Sequence, residues 1–263
     1  MKIIHDLPAE TYHAMPELSN SGMSKLKKSP ANFKHYLDHG SESTDAMEFG
    51  SMFHMAILEP HLFNSTYEST NCNDKRTSAY KSAAKAIEAA GRIPIEEKTV
   101  IQLMKMKDAM QSSFPGFIPL RDGRPEVSVL YEDDGVQCKC RIDYLGDDAI
   151  IDLKTTTDAS ANGFQDSVFK FGYNRQQAHY QRPFELAGTP KRFYFWAVEK
   201  EPPFLNAIYE LDEAALIMGR AEREKLMALY KTCKALDKWP GLPTTIQTIS
   251  LPAWAFRDKS DNQ

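Results

Sequence analysis

Asp143, Asp152 and Lys154 are the residues of this chain whose types and spacing best suit chemistry. Asp143 stands near the end of a β-like run, VQCKCRID. A short Gly146-Asp147-Asp148 turn separates it from a second run, AIIDLK, that carries the other two. Side chains alternate across a strand, so Asp152 and Lys154 share one face while Ile151 and Leu153 point to the other. Two carboxylates and an ammonium at adjacent strand ends suit a hard divalent cation, Mg²⁺ or Mn²⁺, with the lysine placed to stabilise negative charge on a phosphate. The bland alternative, a solvent-facing Asp-x-Lys ion pair, is common and worth little. Context decides between them: the alternating strand EVSVLYE, carrying Glu126, precedes the pair, and a helical run with a second group of polar residues follows it.

The elements that must position these groups are legible in outline. Residues 19–38 read as two short helices, the first capped by Ser19 or Asn20 and the second opened by Ser29 and Pro30 as N-cap and N1 proline. Residues 46–59 form a strongly apolar helix ended by Pro60, and 77–90 and 96–113 form further helices. Three strands follow, 126–132, 136–143 and 149–154, with Asp133-Asp134-Gly135 as a hairpin turn. Residues 161–187 read as helical and bent near Gly172. Two strands, RFYFWAVEK and LNAIYEL, then flank a Pro202-Pro203 corner, and Asp212 caps a long amphipathic helix to about Leu236. The tail KWPGLPTTIQTISLPAWAF should lie on the body as an extended, anchored segment. The expected class is mixed α/β, a central mixed β-sheet flanked by helices.

With 263 residues, 42% hydrophobic and 26% charged, and no repeats or composition break, the chain is expected to be one domain spanning 1–263. A net charge of -4 lacks the basic footprint usual for nucleic-acid binders, but cations need only line a channel while the outer surface stays acidic. The four cysteines, Cys72, Cys138, Cys140 and Cys233, include no CxxC pair, which argues against structural zinc. Cys138 and Cys140 share a strand face and read as packed small hydrophobes. The start, MKIIHDLPAETYH, lacks an apolar signal core and no run reaches membrane-span length, so we expect a cytoplasmic, reduced protein with no membrane partner.

The Asp143 and Asp152-x-Lys154 pattern resembles the PD-(D/E)XK nuclease signature, with Ile142 where the proline would stand. Along nearly its whole length the chain resembles the RecE family, the prophage-type exodeoxyribonuclease VIII, within the RecB-like superfamily. The resemblance is carried by LSNSGMSKLKKSPANF, MEFGSMFHMAILEP, the DKRT loop, CKCRID, IIDLKTT, RQQAHY and the closing WP and SLPAWA. It implies a restriction-endonuclease-like core and degradation of one strand of linear duplex DNA, 5′ to 3′. The product would be a 3′ overhang for recombination by strand annealing with a RecT-like single-strand annealing protein. It also implies a homo-oligomeric ring, with four subunits favoured, that encloses double-stranded DNA ends.

Carried over residue by residue, the resemblance puts Asp143, Asp152, His54 and the Leu153 carbonyl on Mg²⁺ or Mn²⁺. Lys154 would stand beside the scissile phosphate and Glu126 would assist metal or water. Gln176 and Tyr180 match a Q-x-x-x-Y motif one helical turn apart. Arg141 would reach a DNA phosphate or pair with a carboxylate. Lys75, Arg76 and Thr77, and Ser21, Lys25 and Lys28, would approach the duplex end or its 5′ phosphate, although lysines on an amphipathic helix usually solvate it. Competing readings are a structure-specific or restriction-type endonuclease on the same fold, a catalytically silent DNA-binding or assembly protein, and an enzyme acting on another phosphate ester.

Overall fold

The computed structural model describes residues 1–114 and 123–252. Through them runs a six-stranded sheet in the order β1 (Lys2–Ile4), β4 (Arg124–Asp133), β5 (Val136–Leu145), β6 (Ala149–Thr156), β7 (Arg192–Glu199), β8 (Asn206–Tyr209). A separate parallel pair joins β2 (Tyr67–Ser69) and β3 (Ile93–Ile95). Neighbours in the large sheet are antiparallel except β6 and β7. A parallel neighbour needs a crossover, and α8 (Ala161–Phe171) with α9 (Tyr173–Leu186) supplies it. The architecture is the expected mixed α/β class, mostly antiparallel.

Helices cover both faces. Against one pack α2 (Asn20–Lys28), α3 (Pro30–His39), α8, α9 and α10 (Glu213–Leu236), burying Met23, Phe33, Phe164, Phe184 and Leu226 on Cys138, Cys140 and Phe195. Against the other pack α4 (Asp45–Leu58), α5 (Pro60–Thr66) and α7 (Glu97–Ser113), burying Phe53, Phe63 and Leu103 on Ile151, Leu153 and Trp196. Strand β6 is therefore covered on both sides, which is why AIIDL reads as a nearly continuous apolar run. Each aliphatic side chain it buries contributes about 1.5–3 kcal/mol.

Local chemistry sets the boundaries. Ser19, Ser29, Thr44 and Ser160 accept N-terminal amide hydrogens of α2, α3, α4 and α8, and Asp212 does so for α10. Asp134 (φ 49°) and Gly135 (φ 75°) form the two-residue turn between β4 and β5, and the left-handed conformation they share is what such hairpins demand. Gly172 (φ 69°) breaks the run at 161–187 into α8 and α9. Pro60 ends α4 and also opens α5 at its first turn, where a missing amide hydrogen costs nothing. The short β1, α1 (Ala9–Ala14), β2 and β3 carry too little periodicity to be read from the sequence.

Among the described residues the tail is anchored only at its root. Trp239 packs on Phe33 with ring centroids 5.4 Å apart, and the Pro240 carbonyl accepts from the Ala31 amide at 3.1 Å. Beyond that Leu242, Ile246, Ile249 and Leu251 are exposed, contrary to the expectation of a docked segment. The prolines at 240 and 243 remove amide donors that could have tied it to a sheet edge. The residues from 253 onward, including the rest of SLPAWAF, lie outside the described residues.

Candidate active site

The site begins where two ladders fail. Strands β5 and β6 pair at Leu145 with Ile150 and at Tyr144 with Ile151, and the next pair, Asp143 with Asp152, is not made. On the other side of β5 the ladder to β4 passes from Pro125–Tyr144 to Val127–Ile142 and omits Glu126, which faces Asp143 in register. Glu126 has φ 50°, a left-handed conformation that costs a non-glycine residue about 1–3 kcal/mol and is characteristic of functional sites.

This splay turns the Leu153 backbone toward a gap, and its polar groups must find other partners. The Leu153 amide donates to Asp143 Oδ2 at 2.7 Å, and its carbonyl lies 3.0 Å from His54 Nε2. A carbonyl only accepts, so Nε2 carries the hydrogen and Nδ1 faces Asp143 Oδ2 at 3.5 Å. His54 comes from α4, whose Phe53 and Ala56 are buried against the sheet. Among the described residues His54, Glu126 and Asp143 offer ligand atoms that all lie within 4.8 Å of one another.

The electrostatics are those of charges held close in a half-buried place. Burial pulls His54 down, but the Asp143 carboxylate outweighs it and lifts the imidazole to about 9. Burial would raise Asp143, yet the charge on His54 holds it below the usual carboxylate range. Glu126 is pushed up by burial and then by Asp143, although Arg141 Nε sits 2.5 Å from its Oε2. Carboxylates, an imidazole and a backbone carbonyl converging here match the oxygen-rich donor set of a hard divalent cation. The 3.0 Å between Leu153 O and His54 Nε2 is also about the spacing of adjacent donors on an octahedral ion with bonds of about 2.1 Å. The residues present therefore fit such an ion.

Asp152 lies across Leu153 from this cluster, on the α9 face, and is not a member of it. Its carboxylate is 1% exposed and is paired with Lys154, while Gln176 Nε2 donates to its Oδ1 at 2.5 Å. Burial pushes Asp152 up to about 6, and burial would lower Lys154 but Asp152 beside it raises it. The Lys154 ammonium also lies 4.7 Å from the Tyr173 ring centre. Tyr180 packs on the same side, its hydroxyl raised by burial and by a group that includes Asp152 and Asp143. Asp152 and Lys154 share a strand face by alternation and pair here, and Gln176, which the resemblance set near the active site or the strand backbone, donates to Asp152.

Other candidate residues are spread more widely. Arg141 is taken by Glu126 and by the Leu7 carbonyl at 2.8 Å, so the carboxylate-pairing alternative is the one seen. Arg76 forms a two-pronged pair with Asp74, at 3.0 Å on each prong, and Thr77 caps α6 (Ser78–Ala89). Lys75 borders a separate cavity with Glu48 and Glu96. Ser21 and Lys28 are exposed on α2, and Lys25 lies 5.8 Å from the Tyr36 ring centre. None of these six lines the cavity that holds the metal-type cluster.

Three contributions escaped sequence reasoning. The segment Asp6–Ala9 and His13 line the cavity of about 580 Å³ that also holds His54, Glu126, Arg141 and Asp143. Lys139, on the strand face of Arg141, is buried and donates to the carbonyls of Tyr12 at 2.7 Å and Met15 at 2.6 Å, fixing that segment over the sheet. Arg175 is 1% exposed and ties three helices together, donating to Asn20, Ser24 and Glu222. A lysine flanked by two cysteines on an apolar strand was the one signal that pointed to Lys139.

Residues 19–251 match the profile of the PDDEXK-like domain of unknown function (DUF3799). No curated protein matches the chain. Among solved structures, a candidate exonuclease from Eubacterium rectale is similar over 95% of this chain and 96% of its own, with a TM-score of 0.64 and 15% identity, a likeness of fold. An alkaline exonuclease from Laribacter hongkongensis covers 71% of this chain and 98% of its own at 13% identity, and its TM-score of 0.25 carries no weight.

Proposed function

The chain belongs to the PDDEXK-like family, and from that premise we propose that it is a metal-dependent exodeoxyribonuclease. It degrades one strand of linear double-stranded DNA in the 5′ to 3′ direction and leaves a 3′ overhang for strand annealing. The observation that carries this reading is the His54, Glu126 and Asp143 cluster, separated only by the Leu153 backbone from the paired Asp152 and Lys154.

Asp143, His54 and the Leu153 carbonyl, with Asp152 and Glu126 beside them, would hold Mg²⁺ or Mn²⁺, which would supply an activated water and neutralise phosphate charge. Lys154 adds a fixed cation for a phosphate oxygen, in a site dry enough for that charge to count. Gln176 holds Asp152 in one rotamer, and Arg141 keeps the Glu126 carboxylate from being repelled by Asp143. Tyr180 closes the same side against water. Grip on the duplex comes from backbone contacts by Lys75, Arg76, Thr77, Ser21, Lys25 and Lys28. It is independent of sequence and weakens with salt.

The net charge of -4 supports assembly. A chain with this balance holds a polyanion weakly, whereas a closed ring, four subunits favoured, retains the duplex by topology. The products suit a RecT-like single-strand annealing protein. The test is purified protein with Mg²⁺ or Mn²⁺ on linear and covalently closed duplexes, each labelled at defined ends. Nucleotides released from the 5′-ended strand of the linear substrate alone, and none from the Asp152→Asn variant, are expected. Rapid cutting of closed circles would replace this reading by an endonuclease on the same fold.

A further inference from the structure

A second cavity, of about 650 Å³, opens beside the candidate site. It lies between the end of α1, the start of α2, the second half of α3 and the first turns of α4. His13 and Ser51 line both spaces, and Ser51 stands one helical turn from His54 on α4. That puts the second cavity roughly 5 Å along the helix axis from the cluster.

Its chemistry is not that of a phosphate site. Lys139, the ammonium at its wall, is committed to the carbonyls of Tyr12 and Met15. The acid Glu17 also lines it, and its Oε2 is buried with no hydrogen-bond partner among the described residues. That oxygen is closed off from the cavity, so a donor that enters meets Glu17 through its other carboxylate oxygen. Tyr36 gives the cavity a flat wall and Met47 an apolar one, with the buried Phe33 closing it behind. A planar aromatic group with an exocyclic amine fits these surroundings, and a carboxylate accepting from such an amine is an established pairing for nucleobases.

We propose that this cavity receives a nucleobase of the strand being cut, stacked against Tyr36 with its amino group on Glu17, while the neighbouring phosphate occupies the His54 side. The inference rests on the nuclease reading above. It adds a base subsite that holds the cut strand apart from its complement and favours adenine, cytosine or guanine over thymine at that position. Stacking on an aromatic side chain is tolerant of the base's identity.

The test uses binding, without turnover. Blunt duplexes carrying 2-aminopurine at each of the first four positions of the 5′-ended strand are titrated with the Asp152→Asn protein in chelator. One position should change its fluorescence at least threefold on binding. The change should disappear with Tyr36→Leu and fall by half or more with Glu17→Gln. Ser41→Phe, an exposed loop position that fills the cavity without disturbing the core, gives the same loss should Tyr36→Leu melt early. No position-dependent change, or one that survives both Glu17→Gln and Ser41→Phe, overturns the subsite. Failure of the nuclease reading shows separately, as no nucleotide release by the unmodified protein with Mg²⁺ or Mn²⁺.

Discussion

Asp143 supplies to the amide of Leu153 the acceptor that the backbone of β5 no longer offers, because the two strands diverge just before the position where Asp143 would face Asp152. A carboxylate substituting for a strand carbonyl, with His54 Nδ1 3.5 Å from the same oxygen, fixes the rotamer of Asp143. It also leaves the Leu153 carbonyl turned into the gap, where His54 meets it. The catalytic geometry is thus written into a defect of the sheet, and its components should fail in distinguishable ways.

Replacing His54 separates its two duties. His54→Gln retains a donor for the Leu153 carbonyl but loses the imidazole, so the melting temperature should hold within a few degrees while nuclease activity falls at least 100-fold across a Mg²⁺ titration. His54→Ala loses the donor as well, and an unpaired buried carbonyl costs about 1–3 kcal/mol. Urea denaturation of both variants, beside end-labelled DNA degradation, checks this. Equal stability of the two would mean that the contact at 3.0 Å contributes nothing.

Around Asp152 the expected order is Lys154 before Gln176. Lys154→Ala removes the ion-pair partner of a carboxylate that is 1% exposed, and breaking such a pair costs about 3–5 kcal/mol besides abolishing degradation. Gln176→Ala removes one neutral donor from the same carboxylate. The activity loss should be about 10-fold, with binding of linear DNA unchanged in a filter assay. A Gln176→Ala protein as inactive as Lys154→Ala would assign Gln176 to the reaction itself.

How far the sequence carries is clearest where local chemistry decides. Asp133-Asp134-Gly135, Ser29-Pro30 and Asp212 each specify a turn or a cap from neighbours within three residues, and all three sit where expected. The period-two runs gave β4 to β6, hence the juxtaposition of Asp143, Asp152 and Lys154. What stayed hidden depends on partners far away in the chain. Arg175 reads as a polar helix residue, yet Asn20, 155 residues away, and Glu222, 47 away, bury it. That Asp152 faces α9 while Asp143 faces α4 follows from where β5 leaves β6, and no alternation of residue types encodes that point.

Arg141 should matter for order more than for chemistry. It joins Glu126 to the carbonyl of Leu7, so Arg141→Met frees both the carboxylate and the segment preceding α1. Hydrogen exchange of residues 2–14 should quicken at least 10-fold, and the global melting temperature should fall by only a few degrees, because the two buried helix layers are untouched. Unchanged exchange there would show that Arg141 does not hold the segment, which Lys139 and the β1–β4 pairing then fix without it.

The pH dependence of stability should carry the signature of His179. Its Nε2 donates to the Lys139 carbonyl at 3.0 Å, and Nδ1 accepts from the Tyr131 hydroxyl at 2.9 Å or from Arg223 at 3.4 Å, which fixes the neutral ring. Burial, then the charge of Arg223, depress it to about 3, with Arg175 adding to the effect and Asp133 opposing it. The unfolded chain titrates near 6.5, so the neutral ring's contribution is fully present above that value and is lost as pH falls from there toward about 3. Between pH 7 and pH 5 the loss amounts to about 2 kcal/mol at roughly 1.4 kcal/mol per unit. Asp152 works the other way, since its acid form is favoured below about 6, so the comparison must be made by difference. Urea midpoints of the unmodified protein and of His179→Gln, measured at pH 7 and pH 5, should diverge by that amount, with the unmodified protein losing more at the lower pH. Parallel behaviour would mean that the ring is charged in the folded protein, in conflict with its buried place between two cations.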